Sequence, residues 1–405
     1  MTVIATLTAF AIIVTAYLTF WNSVQIVMGM VAAVSLGRHR RRRTQRNEAL
    51  VARLASPPPV SIVMPAFNEE LTIVESVRAV LAVEYESREI VVVNDGSTDG
   101  TLERLQQAFE LLPGPLAFSR PLPSAVVRGV YRSVAEPGLV VIDKDPGGCK
   151  ADASNAGINA ASGTLVLVID ADTVLEPDAL TRAVMPFLED PGTVAVGGSV
   201  AIGNGYRIEG GRVTGIALPR SWLARFQIVE YMRSFLLFRM FCASHNAVVI
   251  VSGAFGLFLR EAVIAVGGFD KTAVGEDMDL TVRLQRFYRM RGRRFRIAFD
   301  PRPLCATLAP EDVASLRSQR CRWRRGLLQV LWRHRRLIGD PRLGAFGLGA
   351  LPHMLLFEGF GPLLEIAGYV VTTLAWAFGL LDWRHYRILL AVTLVYAAAT
   401  SSRMR

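Results

Sequence analysis

Three short stretches carry side chains suited to work on a strongly charged substrate. Asp170 and Asp172, in DAD, follow the apolar run TLVLVI. In an extended strand, residues two apart point the same way, so both carboxylates are expected to project from one sheet edge. Neighbouring acids repel each other unless a cation lies between them, and hard oxygen ligands suit Mg²⁺ or Mn²⁺ shared with a substrate phosphate. A solvated turn of acids has the same spelling, so the pair is a weak signal by itself. In VGEDMDL, Glu276 and Asp277 open the helical pattern MDLTVRLQRFYRM. The helix dipole favours acids there in any case, and a carboxylate so placed can also accept a proton from an attacking hydroxyl. The third stretch, SLRSQRCRWRRGL (315–327), gathers five arginines and one tryptophan. Gln319, Arg322 and Trp323 share a helical face. Such a cluster serves nucleic acid, anionic lipid headgroups or a small diphosphate, and a plain basic flank beside a membrane segment is the bland alternative.

These residues need a scaffold, and the chain from Val60 onward supplies one. VSIVMP, EIVVVND, LVVID (139–143) and TLVLVIDAD (164–172) read as buried strands. NEELTIVESVRAVLA, STDGTLERLQQAFELL and KADASNAGINAA read as helices between them, with Ser97 or Thr98 capping the second. Short apolar strands alternating with helices predict an α/β fold with a mainly parallel sheet covered on both faces. Such sheets bind ligands beyond the C-terminal ends of their strands, where PAFNEE, NDGSTDG and DAD lie. Gly96 allows a tight turn ahead of a helix N-terminus that can face an anion or a polar base edge, although an ordinary capped turn has the same pattern. Residues 110–138 show no periodicity.

The ends differ from the middle. The chain has 405 residues, a net charge of +10 and 51% hydrophobic residues. Its first 36 residues carry no charged side chain, and the basic block RHRRRRTQR runs from Arg38 to Arg46. About 20 apolar residues span a bilayer, and a signal peptide would need a basic region ahead of its apolar core. The pattern predicts a membrane anchor over 1–36 with residues beyond 37 in the cytoplasm, then a basic linker over 37–59. A catalytic domain is expected over 60–336, and an interfacial and transmembrane region over 337–405. SWLARFQIVEYMRSFLLFRMFCASHNAVVI (221–250) is apolar but holds Arg225, Glu230, Arg233 and Arg239, which suits a helix lying on the domain or the membrane surface. GPLLEIAGYVVTTLAWAFGLL (361–381) is long enough to span, with Glu358 and Glu365 on one face away from lipid; LLAVTLVYAAAT (389–400) is too short. The four cysteines lack metal-ligand spacing and read as free thiols in a reducing compartment. Arg38–Arg46 has no aromatic interleaving or nucleic-acid fold motif around it, so membrane lipids, not nucleic acid, are its expected partners.

The order strand–PAFNEE, strand–NDGSTDG, KADASNAG, DAD, SGAFG, GED, QRCRW, then membrane resembles the family 2 glycosyltransferases. It is most similar to their membrane-embedded processive branch, which includes the cellulose, chitin, hyaluronan and poly-N-acetylglucosamine synthases. The resemblance covers residues 58 to about 380. It implies a nucleotide-sugar-binding domain of GT-A type and an inverting transfer from a UDP-sugar, with N-acetylglucosamine preferred, onto a growing β-linked polysaccharide. The enzyme would be a multi-pass protein of the plasma or inner membrane with its catalytic domain in the cytoplasm.

By the same resemblance Pro65, Asn68, Glu69 and Asp95 would line the nucleotide pocket, and Lys150 would approach the nucleotide or its phosphates. Asp170 would assist at the ribose or metal, Asp172 would ligate Mg²⁺ or Mn²⁺, and Asp277, beside Glu276, would be the general base. QRCRW matches a QxxRW motif: Gln319 and Arg322 would serve the diphosphate and sugar, and Trp323 would stack on the acceptor's last sugar. Asn94 stands where many relatives have Asp, and Gly275 where they have Thr. Relatives also continue through more spans, which leaves open an incomplete channel, a truncated gene or a membrane partner subunit. Transfer of one sugar to a lipid acceptor is the enzymatic alternative, and a basic membrane-tethered scaffold the non-enzymatic one.

Overall fold

The computed structural model describes residues 2–44, 56–115, 118–209, 212–379, 383, 384 and 387. It opens with one long helix, α1 (Thr2–Thr44). Then follow β1 (Val60–Ala66), α2 (Ile73–Leu81), β2 (Arg88–Asn94), α3 (Thr101–Phe109), β3 (Leu111–Pro113), β4 (Val127–Ser133) and β5 (Leu139–Lys144). The next elements are α4 (Lys150–Ala160), β6 (Leu165–Val168), β7 (Val174–Leu175), α5 (Ala179–Glu189), β8 (Thr193–Ile202), β9 (Arg207–Glu209) and β10 (Arg212–Gly215). The chain continues with α6 (Trp222–Arg233), α7 (Met240–Ser244), β11 (Gly256–Leu259), α8 (Arg260–Ala265), α9 (Glu276–Met290), β12 (Arg296–Thr307), α10 (Val313–Arg333) and α11 (Gly361–Ala377).

Ten strands form one sheet in the order β3-β4-β5-β2-β1-β6-β11-β8-β12-β7. The centre, β5-β2-β1-β6, is parallel as expected. The sheet as a whole is mixed, which corrects the mainly parallel reading. β4 pairs antiparallel with β3 and β5, and β11 runs antiparallel to both β6 and β8. The cause on one side is visible in the chain: only residues 134–138 separate β4 from β5. A connection that short makes a hairpin, whereas a parallel crossover needs a dozen residues or more. Both faces are covered, and Ile62, Val63, Val91, Val92 and Val141 have no accessible surface. Burying one such side chain contributes about 1.5–3 kcal/mol, so the central strands are a rigid base for the rim.

Helix α4 packs unusually close to that base. Its residues from Ala151 to Asn159 are all buried, and a Cβ on Gly157 would stand 2.3 Å from Val63 Cγ1. Small side chains let the helix settle on β1 and β2, which carries Lys150, its first residue, to the rim. The expected caps of α3 are absent: Gly100 precedes the helix without a side-chain hydrogen bond.

α1 stays helical through Thr44, and residues 45–55 of the expected linker lie outside the described ones. No packing break falls at 336, since Leu343, Phe346 and Leu351 are buried in the same cluster as Val63 and Val93. Among the described residues only Thr19–His39 is long and apolar enough to cross a membrane; α11 has 17 residues, about 26 Å of helix, and residues 389–400 lie outside the described ones. Within Thr19–His39, Trp21, Gln25, Met28 and Ala32 are buried. Their spacing marks one helical stripe, while Phe20, Val27 and Val34 on another stripe are exposed. The 221–250 stretch lies on the domain, with Phe235 and Met240 in a core cluster that also contains Ala32.

Candidate active site

The rim begins at PAFNEE and NDGSTDG, which one asparagine ties together. Asn68 takes a left-handed backbone, φ 56°, a conformation asparagine tolerates better than most residues. Its N–H donates to Ser97 Oγ at 3.0 Å, and its Oδ1 accepts from the Thr98 N–H at 2.9 Å. Glu69 donates its N–H to Thr101 Oγ1 at 2.9 Å. Pro65, still inside β1, is half-buried beside this junction. Gly96 has φ 68°, and a Cβ there would meet Pro146 at 2.7 Å.

Asp95 is buried, not open as a pocket wall would be. Its Oδ1 accepts from the Gly147 N–H at 2.9 Å and from Lys144 Nζ. Lys144, fully buried, also pairs with Asp152 at 2.9 Å, and Asp152 pairs on its other oxygen with Lys271 at 2.9 Å. Burial alone would raise the Asp152 pKa, but the Ala125 N–H and the two lysines outweigh it and hold the carboxyl below its ordinary range. Lys144, Asp152 and Lys271 were not foreseen from the sequence. The available signal was a lysine at the end of the buried run LVVIDK, since a fully buried lysine requires a carboxylate partner.

Asp170 and Asp172 do reach the rim, but not by strand alternation. β6 ends at Val168, and a turn closed by the Thr173 N–H on the Asp170 carbonyl (3.1 Å) carries them. Lys150 Nζ pairs with the Asp170 carboxylate and donates to the Gly253 carbonyl at 2.8 Å. The Asp172 pKa is pushed up by desolvation and further by the charges of Asp170 and Glu69. That acid surplus fits a divalent cation. Among the described residues no group of three or more His, Cys, Asp or Glu side chains forms a complete cage, so such a cation would need oxygens from a substrate phosphate, as is usual for Mg²⁺.

Gly253 connects both sides of the cleft. While its carbonyl receives Lys150, its N–H donates to Asp277 Oδ2 at 3.1 Å. Asp277 Oδ1 accepts from the Met278 N–H at 2.7 Å in the first turn of α9. Desolvation raises the Asp277 pKa against these hydrogen bonds. Glu276 is raised to about 7 by desolvation and by the Asp277 charge. Lys150, Ser252, Gly253, Glu276 and Asp277 line one small cavity. SGAFG stood out in the sequence, but the double role of its first glycine did not.

Helix α10 docks on this acid pair. Gln319, Arg322 and Trp323 lie seven, four and three residues before Gly326, which abuts Gly275, and so they share its face. Trp323 is 43% exposed, with its ring 6.3 Å from Tyr231 and the Arg320 guanidinium 4.5 Å above it. Gln319 Oε1 is buried without a hydrogen-bond partner. Arg322 is exposed and forms no ion pair among the described residues. The structure thus gathers Glu69, Lys150, Asp170, Asp172, Glu276 and Asp277 around one cleft with α10 at its side, and leaves Arg322 outside the contact network.

Residues 57–326 match the model of the family described as "Glycosyltransferase like family 2". This chain belongs to the family 2 glycosyltransferases. It is 30% identical over 274 residues to the poly-beta-1,6-N-acetyl-D-glucosamine synthase of Staphylococcus aureus, covering 68% of this chain and 56% of that one. The Staphylococcus epidermidis protein of the same name is 28% identical over the same coverage. The chain therefore spans little more than half the length of these curated relatives. A mannosyltransferase from Pyrobaculum calidifontis, solved with GDP-Man and Mn²⁺, shares the fold over 98% of both chains, with a TM-score of 0.63 and 18% identity. The chain carries the family's domain in a GT-A-like mixed α/β fold.

Proposed function

We propose that this glycosyltransferase moves a sugar from a UDP-sugar, UDP-N-acetylglucosamine by kinship, onto a growing β-linked polysaccharide with inversion. The observation that carries the proposal is the single residue Gly253, holding Lys150 through its carbonyl and Asp277 through its N–H. A donor-side cation and a base are thereby set at fixed separation, as in-line displacement needs.

In this reading Pro65, Asn68, Glu69 and Asp95 frame the nucleotide side, with Asp95 acting through the loop it holds. Asp172, with Asp170 beside it, would hold Mg²⁺ or Mn²⁺ together with substrate oxygens. When bound, the cation neutralises charge on the diphosphate. Lys150 adds positive charge on the same side, and Gln319 and Arg322 approach the diphosphate and sugar. Asp277 takes the proton of the acceptor hydroxyl as that oxygen bonds to the anomeric carbon. The bond from that carbon to the diphosphate oxygen breaks on the opposite face, and its electron pair leaves with UDP. An α-linked donor therefore yields a β-linked product. The raised pKa makes Asp277 a stronger base than a free carboxylate. Trp323, beside Tyr231, offers its ring to the terminal acceptor sugar. Helix α1 and the 337–405 region attach the enzyme to the cell membrane, with the catalytic domain cytoplasmic and room for a membrane partner subunit.

Membranes containing the purified chain, supplied with UDP-sugars and Mg²⁺ or Mn²⁺, should release UDP and form a polymer ladder. No release from any UDP-sugar would sink the proposal. The second reading is the transfer of one sugar to a lipid acceptor. A single glycolipid product, with GDP-mannose included among the donors, would select it.

A further inference from the structure

A cavity of about 630 Å³ lies along β12, from Phe295 to Arg302. The register locates it: Phe299 is level with Gly197, Gly256 and Val168. Arg296 stands three residues beyond that line on one side, and Asp300 and Arg302 on the other, so the cavity crosses it. The last turns of the apolar part of α1 close the cavity through Ser35, Arg38 and His39, against α5, α7 and β12.

Its charges are unevenly matched. Arg38, Arg182, Arg296 and Arg302, with His39 and His245, face Glu189, Asp190 and Asp300. Asp300 has three basic neighbours at ion-pair but not hydrogen-bond distance: Arg182 Nε at 3.7 Å, Arg302 Nη2 at 3.8 Å and His39 Nε2 at 3.8 Å. Asp190 already accepts the Gly192 N–H and pairs with Arg294 at 3.5 Å. Arg38 and Arg296 form no ion pair among the described residues. Arg182 is nine-tenths buried, and its Nε–H has no hydrogen-bond acceptor, even with Asp178 3.3 Å away. A buried donor without an acceptor is costly. An acceptor-only, multiply charged group relieves that cost and suits planar guanidinium forks.

We infer that this cavity binds a phosphate-bearing group, with Arg38, Arg182 and Arg296 as its principal contacts. The chemistry is shared by a phospholipid headgroup reaching in beside α1 and by a soluble phosphate ester. The inference does not depend on the sugar-transfer reading, because no residue lining the Lys150–Asp277 cavity lines this one. Occupancy would brace α1 against β12 and so tie the apolar helix to the catalytic domain.

The test uses the full chain. Native mass spectrometry from nanodiscs of phosphatidylcholine with or without phosphatidylglycerol reads lipid retention, and titration with inorganic pyrophosphate in detergent reads the soluble source. Wild type should retain phosphatidylglycerol or bind pyrophosphate. Arg38→Gln and Arg296→Gln should each weaken that binding about tenfold or more, the scale of one lost charge-assisted hydrogen bond. Arg41→Gln, in the exposed basic run outside the cavity, should leave it unchanged. Retention of the lipid alone identifies a headgroup site, and pyrophosphate binding alone a soluble ester; either supports the inference. Binding of neither, or binding unaltered by both cavity variants, overturns it. Arg38 is exposed on a helix, so its replacement leaves the fold intact and the result readable.

Discussion

Gly326 of α10 lies against Gly275, the residue just ahead of Glu276 and Asp277. A Cβ built on Gly326 would stand 3.0 Å from the Gly275 nitrogen and 3.1 Å from its Cα. The Val274 N–H donates to Gln329 Oε1 at 2.8 Å across the same junction. Two backbones in contact set the helix that bears Trp323 directly on the loop that bears the acid pair. The missing Thr at position 275 thereby acquires a packing reason.

Gly326→Ala should push α10 away and lower transfer about 10- to 100-fold, since overpacking a fixed contact costs roughly 1–3 kcal/mol. Gly275→Ala should be milder, because its Cβ would come no nearer than 3.4 Å. Turnover of both variants alongside thermal unfolding checks this. Equal turnover in Gly326→Ala and wild type would show that the contact does not set the site.

Lys144→Met would leave Asp95 and Asp152 buried beside each other without their shared cation. Breaking a buried pair by removing one partner costs about 3–5 kcal/mol. Lys271→Met, at a side chain 43% exposed, should cost under about 1 kcal/mol. Urea denaturation separates the two, and similar losses would contradict the assigned burial of charge.

Asp277→Asn should lower the transfer rate about 10²- to 10⁴-fold with the fold retained, the usual span for loss of a general base. Asp172→Asn should also abolish transfer, and with it the response of rate to added Mn²⁺. Circular dichroism verifies folding and UDP release reports rate. Near-normal turnover in either variant removes that residue from the mechanism.

The pH profile follows from the upward shifts at Glu276 and Asp277. A base works only when deprotonated, and a raised pKa brings its protonation to higher pH. Transfer should therefore decline on the acid side at a higher pH than an ordinary carboxylate base would give, and the pair should titrate jointly. A rate level down to pH 5 would mean that neither acid is the base.

Sequence alone determined the central strands, the order of motifs along them and the types of the proposed reacting groups. Buried parallel strands are long apolar runs, as in EIVVVN and LVVID, and the polar ends of such runs mark the ligand-binding rim. Those are local signals. Only tertiary structure decided that Asp95 is buried under Lys144, that a turn carries Asp170 and Asp172 to the rim, and that Gly253 serves Lys150 and Asp277 together. It also decided the sheet's mixed direction and the packing of Leu343 and Phe346 into the catalytic core. Each depends on partners far apart in sequence, 103 residues for Lys150 and Gly253, and a hydrogen bond or glycine contact between such partners leaves no periodicity in the chain.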